Sequence, residues 1–240
     1  MKDVILLPTY NEKENVKWII PKIFEAVPEI FVMVIDDNSP DGTAQEVKGL
    51  MERYPRLSIL ERKNKTGLGA AYKDGIQKVI LDPSVRSVIT MDADGSHDPV
   101  YLLDFLKLIN DDDCHMVIGS RYVADGGVEN WEFWRKKLSS FGNLYTRLLT
   151  GIGVRDMTAG FTCTKREYLT KIDFERISAV GYAFLMEYKF YIAHTLSGKI
   201  KETPIIFKCR KEGESKISNH IIREGLKTPL RLFLRRIKKT

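Results

Sequence analysis

The sequence predicts an α/β fold with helices on both faces of a mainly parallel central sheet. Short apolar runs alternate with amphipathic helical patterns through the first half of the chain, which is typical of β-α-β units. A chain of 240 residues that is 43% hydrophobic and 29% charged can build one substantial core. Because no internal repeat, low-complexity tract or linker divides the chain, we predict one domain over residues 1–225 and a basic helix over residues 226–240.

The individual elements follow from the spacing of the apolar residues. Strands are predicted where short apolar runs occur, at residues 4–7, 31–35, 57–60, 88–91, 116–118 and 200–207. Helices are predicted where apolar residues recur at helical spacing, at residues 15–27, 41–54, 69–81, 99–108, 135–149 and 183–196. Residues 123–134 are predicted to be a loop bearing Gly and Trp, and residues 210–218 a polar loop.

Polar residues follow each of the first five predicted strands. They are residues 8–12, 36–39, 63–69, 92–94 and 120–121. The carboxyl ends of parallel strands meet at one edge of a sheet, and ligands bind beyond that edge in open α/β folds. The sequence therefore predicts that all five groups contribute to a single site.

Asp92 and Asp94 are the strongest candidates for a metal site. They end a buried apolar run and lie one residue apart, so a divalent cation such as Mg2+ or Mn2+ can bind both carboxylates. The alternative interpretation is a solvated turn in which Asp98 caps the helix that begins at Pro99. A second Asp-x-Asp pair at residues 111–113 lies in a polar turn and is interpreted as accidental.

Several classes of protein are disfavoured. Gly67-Leu68-Gly69 lacks the remaining glycine of a dinucleotide fingerprint, and no phosphate-loop motif is present. Three widely spaced cysteines give neither a disulfide framework nor a metal pattern, which favours a reducing compartment. The apolar part of the N-terminus is too short for a signal peptide, and no uncharged apolar run approaches the roughly 18 residues of a membrane span.

The formal net charge of +6 is located at the C-terminal end. Residues 226–240 contain six basic residues and no acid, so the rest of the chain has 32 basic and 32 acidic residues. A lone Phe233 lacks the interleaved aromatic residues of a nucleic-acid groove, so we expect no nucleic-acid partner. Thr228 and Pro229 are predicted to begin a helix whose apolar face contains Leu230, Phe233, Leu234 and Ile237. Such a helix is predicted to lie on a membrane surface. The alternatives are that its apolar face packs on the domain or binds a partner's membrane helix.

Taken together, the motifs resemble those of family 2 glycosyltransferases of the GT-A fold. The segments that carry this resemblance are residues 7–12, 35–43, 64–69 and 91–94. Residues 119–122, 126–128, 156–161 and 213–216 resemble the dolichyl-phosphate mannose synthase branch of that family. The resemblance implies a three-layer α/β/α sandwich that transfers a hexose with inversion and requires Mg2+ or Mn2+. It favours GDP-mannose as donor and a dolichyl or polyprenyl phosphate as acceptor, with the enzyme peripheral on the cytoplasmic face of a membrane.

The resemblance also implies roles for individual residues. The nucleotide-sugar site would contain Pro8, Tyr10, Glu12, Ile35, Asp37, Asp92, Ala93, Asp94, Arg210 and Lys216. The metal site would contain Asp92, Asp94 and Ser96, and the lipid-phosphate site would contain Arg121, Arg135 and Ser139. The residues implied in catalysis are Asp94, Arg121 and Arg210.

The sequence departs from the family pattern at three positions. Ser96 stands where some relatives carry a metal-binding glutamine, Ala159 replaces a common serine, and Phe141 replaces a usually basic residue. The remaining alternatives are a polyprenyl-phosphate glucosyltransferase that uses UDP-glucose, a transferase with a soluble acceptor, and a non-catalytic nucleotide-sugar-binding subunit. A small membrane-anchoring protein is a further candidate partner.

Overall fold

The computed structural model describes residues 1–179, 181, 183–208 and 219–237. The strands are β1 (Lys2–Thr9), β2 (Phe31–Asp36), β3 (Leu57–Glu61), β4 (Val85–Thr90), β5 (Met116–Ser120), β6 (Gly127–Val128), β7 (Thr162–Lys165), β8 (Ile200–Pro204) and β9 (Ile206–Phe207). The helices are α1 (Lys13–Ala26), α2 (Thr43–Arg53), α3 (Leu68–Val79), α4 (Leu102–Ile109), α5 (Phe133–Thr150), α6 (Arg166–Leu169), α7 (Ala183–Phe190) and α8 (Asn219–Ile237). None of these helices is long and apolar enough to cross a membrane.

Seven strands form the central sheet, in the order β3-β2-β1-β4-β7-β5-β8. Strand β7 is antiparallel to both neighbours, whereas the other neighbouring strands are parallel, which confirms the mainly parallel sheet. The chain leaves β1 for β2 and β3 on one side and then crosses to β4 on the other side of β1. Ligands bind in the crevice that such a reversal opens at the carboxyl ends of the strands. A ligand site is therefore expected at the ends of β1 and β4.

Both faces of the sheet are covered by helices. Side chains alternate along β1, so Val4 and Leu6 enter one core cluster while Ile5 and Leu7 enter the other. Helices α3 and α7 supply residues to the first cluster, and α1, α2 and α4 supply residues to the second. This arrangement confirms the predicted three-layer α/β/α sandwich.

Strand β7 was not predicted, because its sequence Thr-Cys-Thr-Lys has no continuous apolar run. Its threonines are nevertheless fully buried, and each hydroxyl has a partner. Thr162 Oγ1 lies 2.8 Å from Thr90 Oγ1, and the Tyr188 hydroxyl donates to Thr164 Oγ1 at 2.6 Å. Side-chain hydrogen bonds therefore allow a polar strand between β4 and β5.

The strand predicted over residues 200–207 consists of two strands. β8 pairs with β5 as far as Pro204, and β9 then pairs with β6 in a separate two-stranded sheet. Proline has no N–H to donate to a sheet ladder, so it ends the pairing of β8. The break directs residues 206–207 toward the loop that follows β5.

The C-terminal helix begins earlier than predicted, at Asn219, and it continues through Thr228 and Pro229. The expectation that these two residues start the helix was therefore wrong. Leu232 is fully buried in the core, whereas Leu230, Leu234 and Ile237 are about half exposed. The helix thus packs on the domain on one side and leaves apolar side chains exposed on another, while Lys238 and Lys239 lie outside the described residues.

Candidate active site

The site is built around the turn that follows β4. The Tyr72 hydroxyl, on α3, donates to Asp92 Oδ1 at 3.2 Å, and the Ser96 backbone N–H donates to Asp94 Oδ1 at 3.0 Å. Gly95 has φ +77°, and a Cβ there would lie 2.2 Å from the Trp18 ring. Only glycine fits this position without strain, so the turn is tight and fixes both carboxylates at the strand end.

The buried His97 side chain stabilises the same turn by a hydrogen bond. The Asp92 backbone N–H donates to His97 Nδ1 at 2.9 Å, and the imidazole stacks on Phe161 at 4.9 Å. The ring is 2% exposed, and burial lowers the pKa of His97. A neutral ring that accepts at Nδ1 carries its proton on Nε2. The sequence assigned no role to this histidine, because its spacing matches no metal pattern.

The donor atoms of this turn fit a hard divalent cation. Asp92 and Asp94 supply carboxylate oxygens, and the buried Ser96 hydroxyl has no hydrogen-bond partner among the described residues. Oxygen ligands of this kind are those that Mg2+ and Mn2+ prefer. The described residues contain no cluster of three or more His, Cys, Asp and Glu side chains that could hold a metal. A cation held by Asp92, Asp94 and Ser96 would complete its coordination with other oxygen ligands, such as those of substrate or water.

The predicted nucleotide residues lie at the ends of β1 and β2, where Pro8 pairs with Ile35. The Tyr10 ring faces Lys65, whose Nζ is 3.6 Å from the ring centroid. Glu12 Oε2 accepts from the Asn15 side chain at 2.6 Å. The Ile35 side chain is fully buried in the core, and Ile35 pairs with both neighbouring strands, so its role at the nucleotide site stays a prediction.

Asp37, at the end of β2, is 6% exposed and forms an ion pair with Arg62. Burial raises the pKa of Asp37, and Arg62 opposes that rise by stabilising the carboxylate. Arg62 also pairs with Asp74 at 2.8 Å. The Asp37 carboxylate is thus held in one orientation next to the ends of β1 and β2.

Arg121, after β5, is held by a buried carboxylate. The Asp156 carboxylate accepts from Arg121 Nε and Nη2, each at 2.7 Å, and from its backbone N–H at 3.1 Å. Burial alone would raise the pKa of Asp156, but the Arg121 guanidinium holds that pKa below its usual value. Arg121 Nη2 also donates to Thr158 Oγ1 at 2.8 Å. The guanidinium therefore has one fixed orientation, and its Nη1 side is not used by these partners.

Arg135 and Ser139 lie one turn apart on α5, and Asn143 follows after another turn. The Asn143 side chain donates to Ser139 O at 3.1 Å and to Thr158 Oγ1 at 3.2 Å. Its Oδ1 accepts from the Thr158 backbone N–H at 3.1 Å. Asn143 therefore links this face of α5 to the segment that holds Arg121.

Lys189 supports that segment from inside the core. Its Nζ donates to Met157 O at 3.0 Å and to Ala159 O at 2.6 Å, and it is fully buried. Burial lowers the pKa of Lys189 to about 7. This lysine lies within the apolar helix α7, where sequence reasoning gave it no role. Two ionisable residues, Glu187 and Lys189, inside a mostly apolar helix were the available signal.

The remaining predicted residues are placed as follows. Ala93 is buried in the core beside the Asp92–Asp94 turn, and Ala159 is buried in the segment held by Lys189. Phe141 is 62% exposed on α5. Arg210 and Lys216 lie outside the described residues.

Comparison with known proteins matches residues 4–173 to the model of glycosyl transferase family 2. Over 226 residues the chain is 38% identical to polyprenol monophosphomannose synthase from Mycolicibacterium smegmatis, covering 94% of this chain and 84% of that protein. It is also 38% identical over 226 residues to undecaprenyl-phosphate mannosyltransferase from Micrococcus luteus, covering 94% and 91% of the two proteins.

A solved structure shares the fold. It is glucosyl-3-phosphoglycerate synthase from Mycobacterium tuberculosis in complex with Mn2+, uridine diphosphate and phosphoglyceric acid. The TM-score is 0.69 at 17% identity, and the match covers 98% of this chain and 78% of that one. This similarity confirms the predicted GT-A fold. The chain thus belongs to glycosyl transferase family 2, as its motifs predicted, and is a glycosyltransferase.

Proposed function

We propose that this enzyme transfers mannose from GDP-mannose to a polyprenyl phosphate, with inversion and with a divalent cation. The observation that carries the proposal is that one sheet edge holds two centres of opposite charge. Asp92 and Asp94 follow β4. Arg121 follows β5, and Arg135 of α5 lies against the same Trp131 ring as Arg121. The names of the two relatives in M. smegmatis and M. luteus support a polyprenyl phosphate acceptor and a mannosyl donor.

The donor nucleotide would bind along the ends of β1 and β2. The Tyr10 ring offers a surface for the base or ribose, and Lys65 sits against that ring. The Asp37 carboxylate, oriented by Arg62, would accept hydrogen bonds from ring N–H groups of the base. A carboxylate fixed in advance loses little conformational freedom when it binds, which favours affinity.

Asp92, Asp94 and Ser96 would hold the cation, Mg2+ or Mn2+. When bound, the metal acts as a Lewis acid that neutralises the developing charge on the leaving nucleoside diphosphate. Tyr72 and Ser96 orient the two carboxylates through the hydrogen bonds described above. The presence of Mn2+ in the structure of the M. tuberculosis enzyme supports this assignment.

The acceptor determines what else the site must supply. A phosphate monoester has its second pKa near 6, so at neutral pH its oxygen is already a charged nucleophile. The site then needs no strong general base, but it must position that oxygen in line with the bond to the leaving group. Arg121, Arg135 and Ser139 would bind the acceptor phosphate, with Arg121 oriented by Asp156. Arg210 and Lys216 remain predicted phosphate contacts.

The enzyme would reach its lipid acceptor by docking on the membrane through an apolar surface of α5 and α8. This docking surface consists of eight exposed side chains: Leu138, Phe141, Leu144, Leu148, Leu226, Leu230, Leu234 and Ile237. The Tyr145 hydroxyl donates to Leu226 O at 3.2 Å and joins the two helices. Basic residues of both helices, including Lys137, Arg147 and Lys227, would favour anionic lipid. We place the enzyme at the cytoplasmic face of the membrane.

The test is a matrix of donors and acceptors. Purified enzyme is incubated with GDP-mannose, UDP-glucose and UDP-mannose, each with a polyprenyl phosphate or the matched polyprenol, in detergent with Mg2+ or Mn2+. Transfer of mannose from GDP-mannose to the phosphate alone is the expected result. Preferred use of UDP-glucose would replace the proposed donor, and transfer to the polyprenol would replace the proposed acceptor. No transfer in any cell of the matrix would favour a non-catalytic nucleotide-sugar-binding subunit.

A further inference from the structure

Trp131 lies between the two arginines of the acceptor site. Its ring centroid is 4.4 Å from Arg135 Cζ and 5.6 Å from Arg121 Cζ. We infer that Trp131 positions both guanidinium groups for the acceptor phosphate and donates its indole N–H to the same phosphate. This inference rests on the proposed function, because it takes a phosphate monoester as the ligand of this cluster.

The backbone around Trp131 is held by the small β6–β9 sheet. The Gly127 N–H donates to Ile205 O at 3.0 Å, and the Glu129 N–H donates to Phe207 O at 2.9 Å. The Phe207 ring then meets the Trp131 ring edge-on at 5.7 Å. Because two strands and an aromatic contact fix the indole, it can act as a rigid surface for the arginines.

The ring and the carboxylate have different effects on the two cations. Asp156 neutralises Arg121, whereas Arg135 forms no ion pair within the part of the chain that the structure describes. An aromatic face attracts a guanidinium without cancelling its charge. The three charged groups thus sum to one net positive charge next to the sheet edge, which favours an anionic ligand.

Unsatisfied hydrogen-bonding groups are concentrated in the same cluster. Among the described residues, Trp131 Nε1, Arg135 Nε and the Tyr122 hydroxyl are buried atoms without a hydrogen-bond partner. Buried polar groups in folded proteins are nearly always paired, so a local group of exceptions calls for a missing partner. Two of these atoms can only donate. The missing partner is therefore an acceptor, and the terminal oxygens of a phosphate monoester match it.

The second tryptophan of this region provides a matched control. Trp134 is 56% exposed, and its Nε1 already donates to Glu132 Oε2 at 2.7 Å. Among the described residues, no arginine packs against the Trp134 ring. Substitution there removes the same side chain without affecting the two arginines.

Binding of citronellyl phosphate, a short water-soluble isoprenoid phosphate, is the direct test. Titration calorimetry compares wild type with Trp131→Leu, Trp131→Phe and Trp134→Leu. We expect Trp131→Leu to weaken binding about tenfold or more, because it removes both the aromatic face and the donor. Trp131→Phe keeps the face and should lose about threefold to tenfold. Trp134→Leu should bind as wild type does, and all variants should keep the wild-type affinity for nucleotide.

The inference is overturned if wild type does not bind citronellyl phosphate or if both Trp131 variants bind it as wild type does. Equal loss of nucleotide affinity in a Trp131 variant also overturns it, because the tryptophan would then support the whole domain. In transfer assays the acceptor KM should rise in Trp131→Phe while the donor KM stays unchanged. A wild type that binds citronellyl phosphate but transfers no sugar would refute the proposed function and leave the phosphate site standing.

Discussion

Asp156→Asn is the substitution that most directly probes how the proposed acceptor site is assembled. The Asp156 side chain is fully buried and the Arg121 side chain is 8% exposed, so water screens their attraction very little. Asparagine keeps the size of the side chain but removes the negative charge and one acceptor. The Arg121 guanidinium would then remain buried without a counter-ion.

The expected cost follows from this burial. Removing one partner of a buried ion pair costs about 3–5 kcal/mol, because the other charge is left uncompensated. A domain of this kind has a total stability of about 5–15 kcal/mol, so the variant should fold with a much smaller margin. The double variant Asp156→Asn/Arg121→Met should recover part of the loss, since it removes the stranded charge as well.

Urea denaturation followed by circular dichroism measures both effects. The pH dependence gives an independent check, because Arg121 holds the pKa of Asp156 below its unfolded value of about 4. The stabilisation is therefore present above that value and is lost as the pH falls through the folded pKa. A loss below about 1 kcal/mol for Asp156→Asn at pH 7, smaller than the range for a broken buried pair, would refute this description of the site.

Three further predictions concern other parts of the molecule. Asp94→Ala should lower turnover by roughly 10²-fold or more, by loss of a main electrostatic stabiliser, and chelator should abolish activity; full activity in chelator would exclude the metal. Lys189→Met tests the buried lysine, because burial lowers the pKa of Lys189 to about 7. The free energy of unfolding of wild type should therefore rise relative to that of the variant between pH 7 and about 10. A difference in unfolding free energy that does not change with pH would contradict this. Leu230→Asp/Leu234→Asp should abolish co-sedimentation with anionic liposomes and leave nucleotide affinity unchanged. Leu81→Asp, at an exposed leucine outside the proposed docking surface, should bind liposomes as wild type does. Equal sedimentation of all three proteins would exclude the surface.

Much of the fold was predictable because strands buried on both faces of a sheet are apolar throughout. Strands β1, β2 and β5 each contain such an apolar run, at residues 4–7, 31–35 and 116–118, and β4 contains Val88 and Ile89. The alternation of strands and helices could therefore be predicted. Strand β7 could not be predicted, because its buried threonines are satisfied by side-chain hydrogen bonds that no local sequence pattern indicates. Thr228-Pro229 resembles a helix start, yet α8 passes through it, because packing of Leu232 in the core outweighs the local preference.

The candidate site could be predicted from the sequence only where its residues directly follow strands. The end of β4 delivers Asp92 and Asp94, and its position could be inferred from the apolar run alone. The ion pair between Arg121 and Asp156 joins residues 35 positions apart, and it depends on how the loop after α5 folds. Trp131 meets Phe207 only because Pro204 ends β8 and sends β9 to β6. Such contacts are products of tertiary structure, which periodicity does not encode.

The proposed nucleophile is a charged oxygen of a lipid phosphate, which attacks the anomeric carbon of the sugar. The most direct measurement is the NMR spectrum of the product that the enzyme forms from GDP-mannose, whose mannosyl linkage is α, and citronellyl phosphate. A coupling between the anomeric proton and phosphorus, with β configuration at the anomeric carbon, is the predicted result. Retained α configuration would contradict inversion, and absence of the coupling would contradict attack by the phosphate.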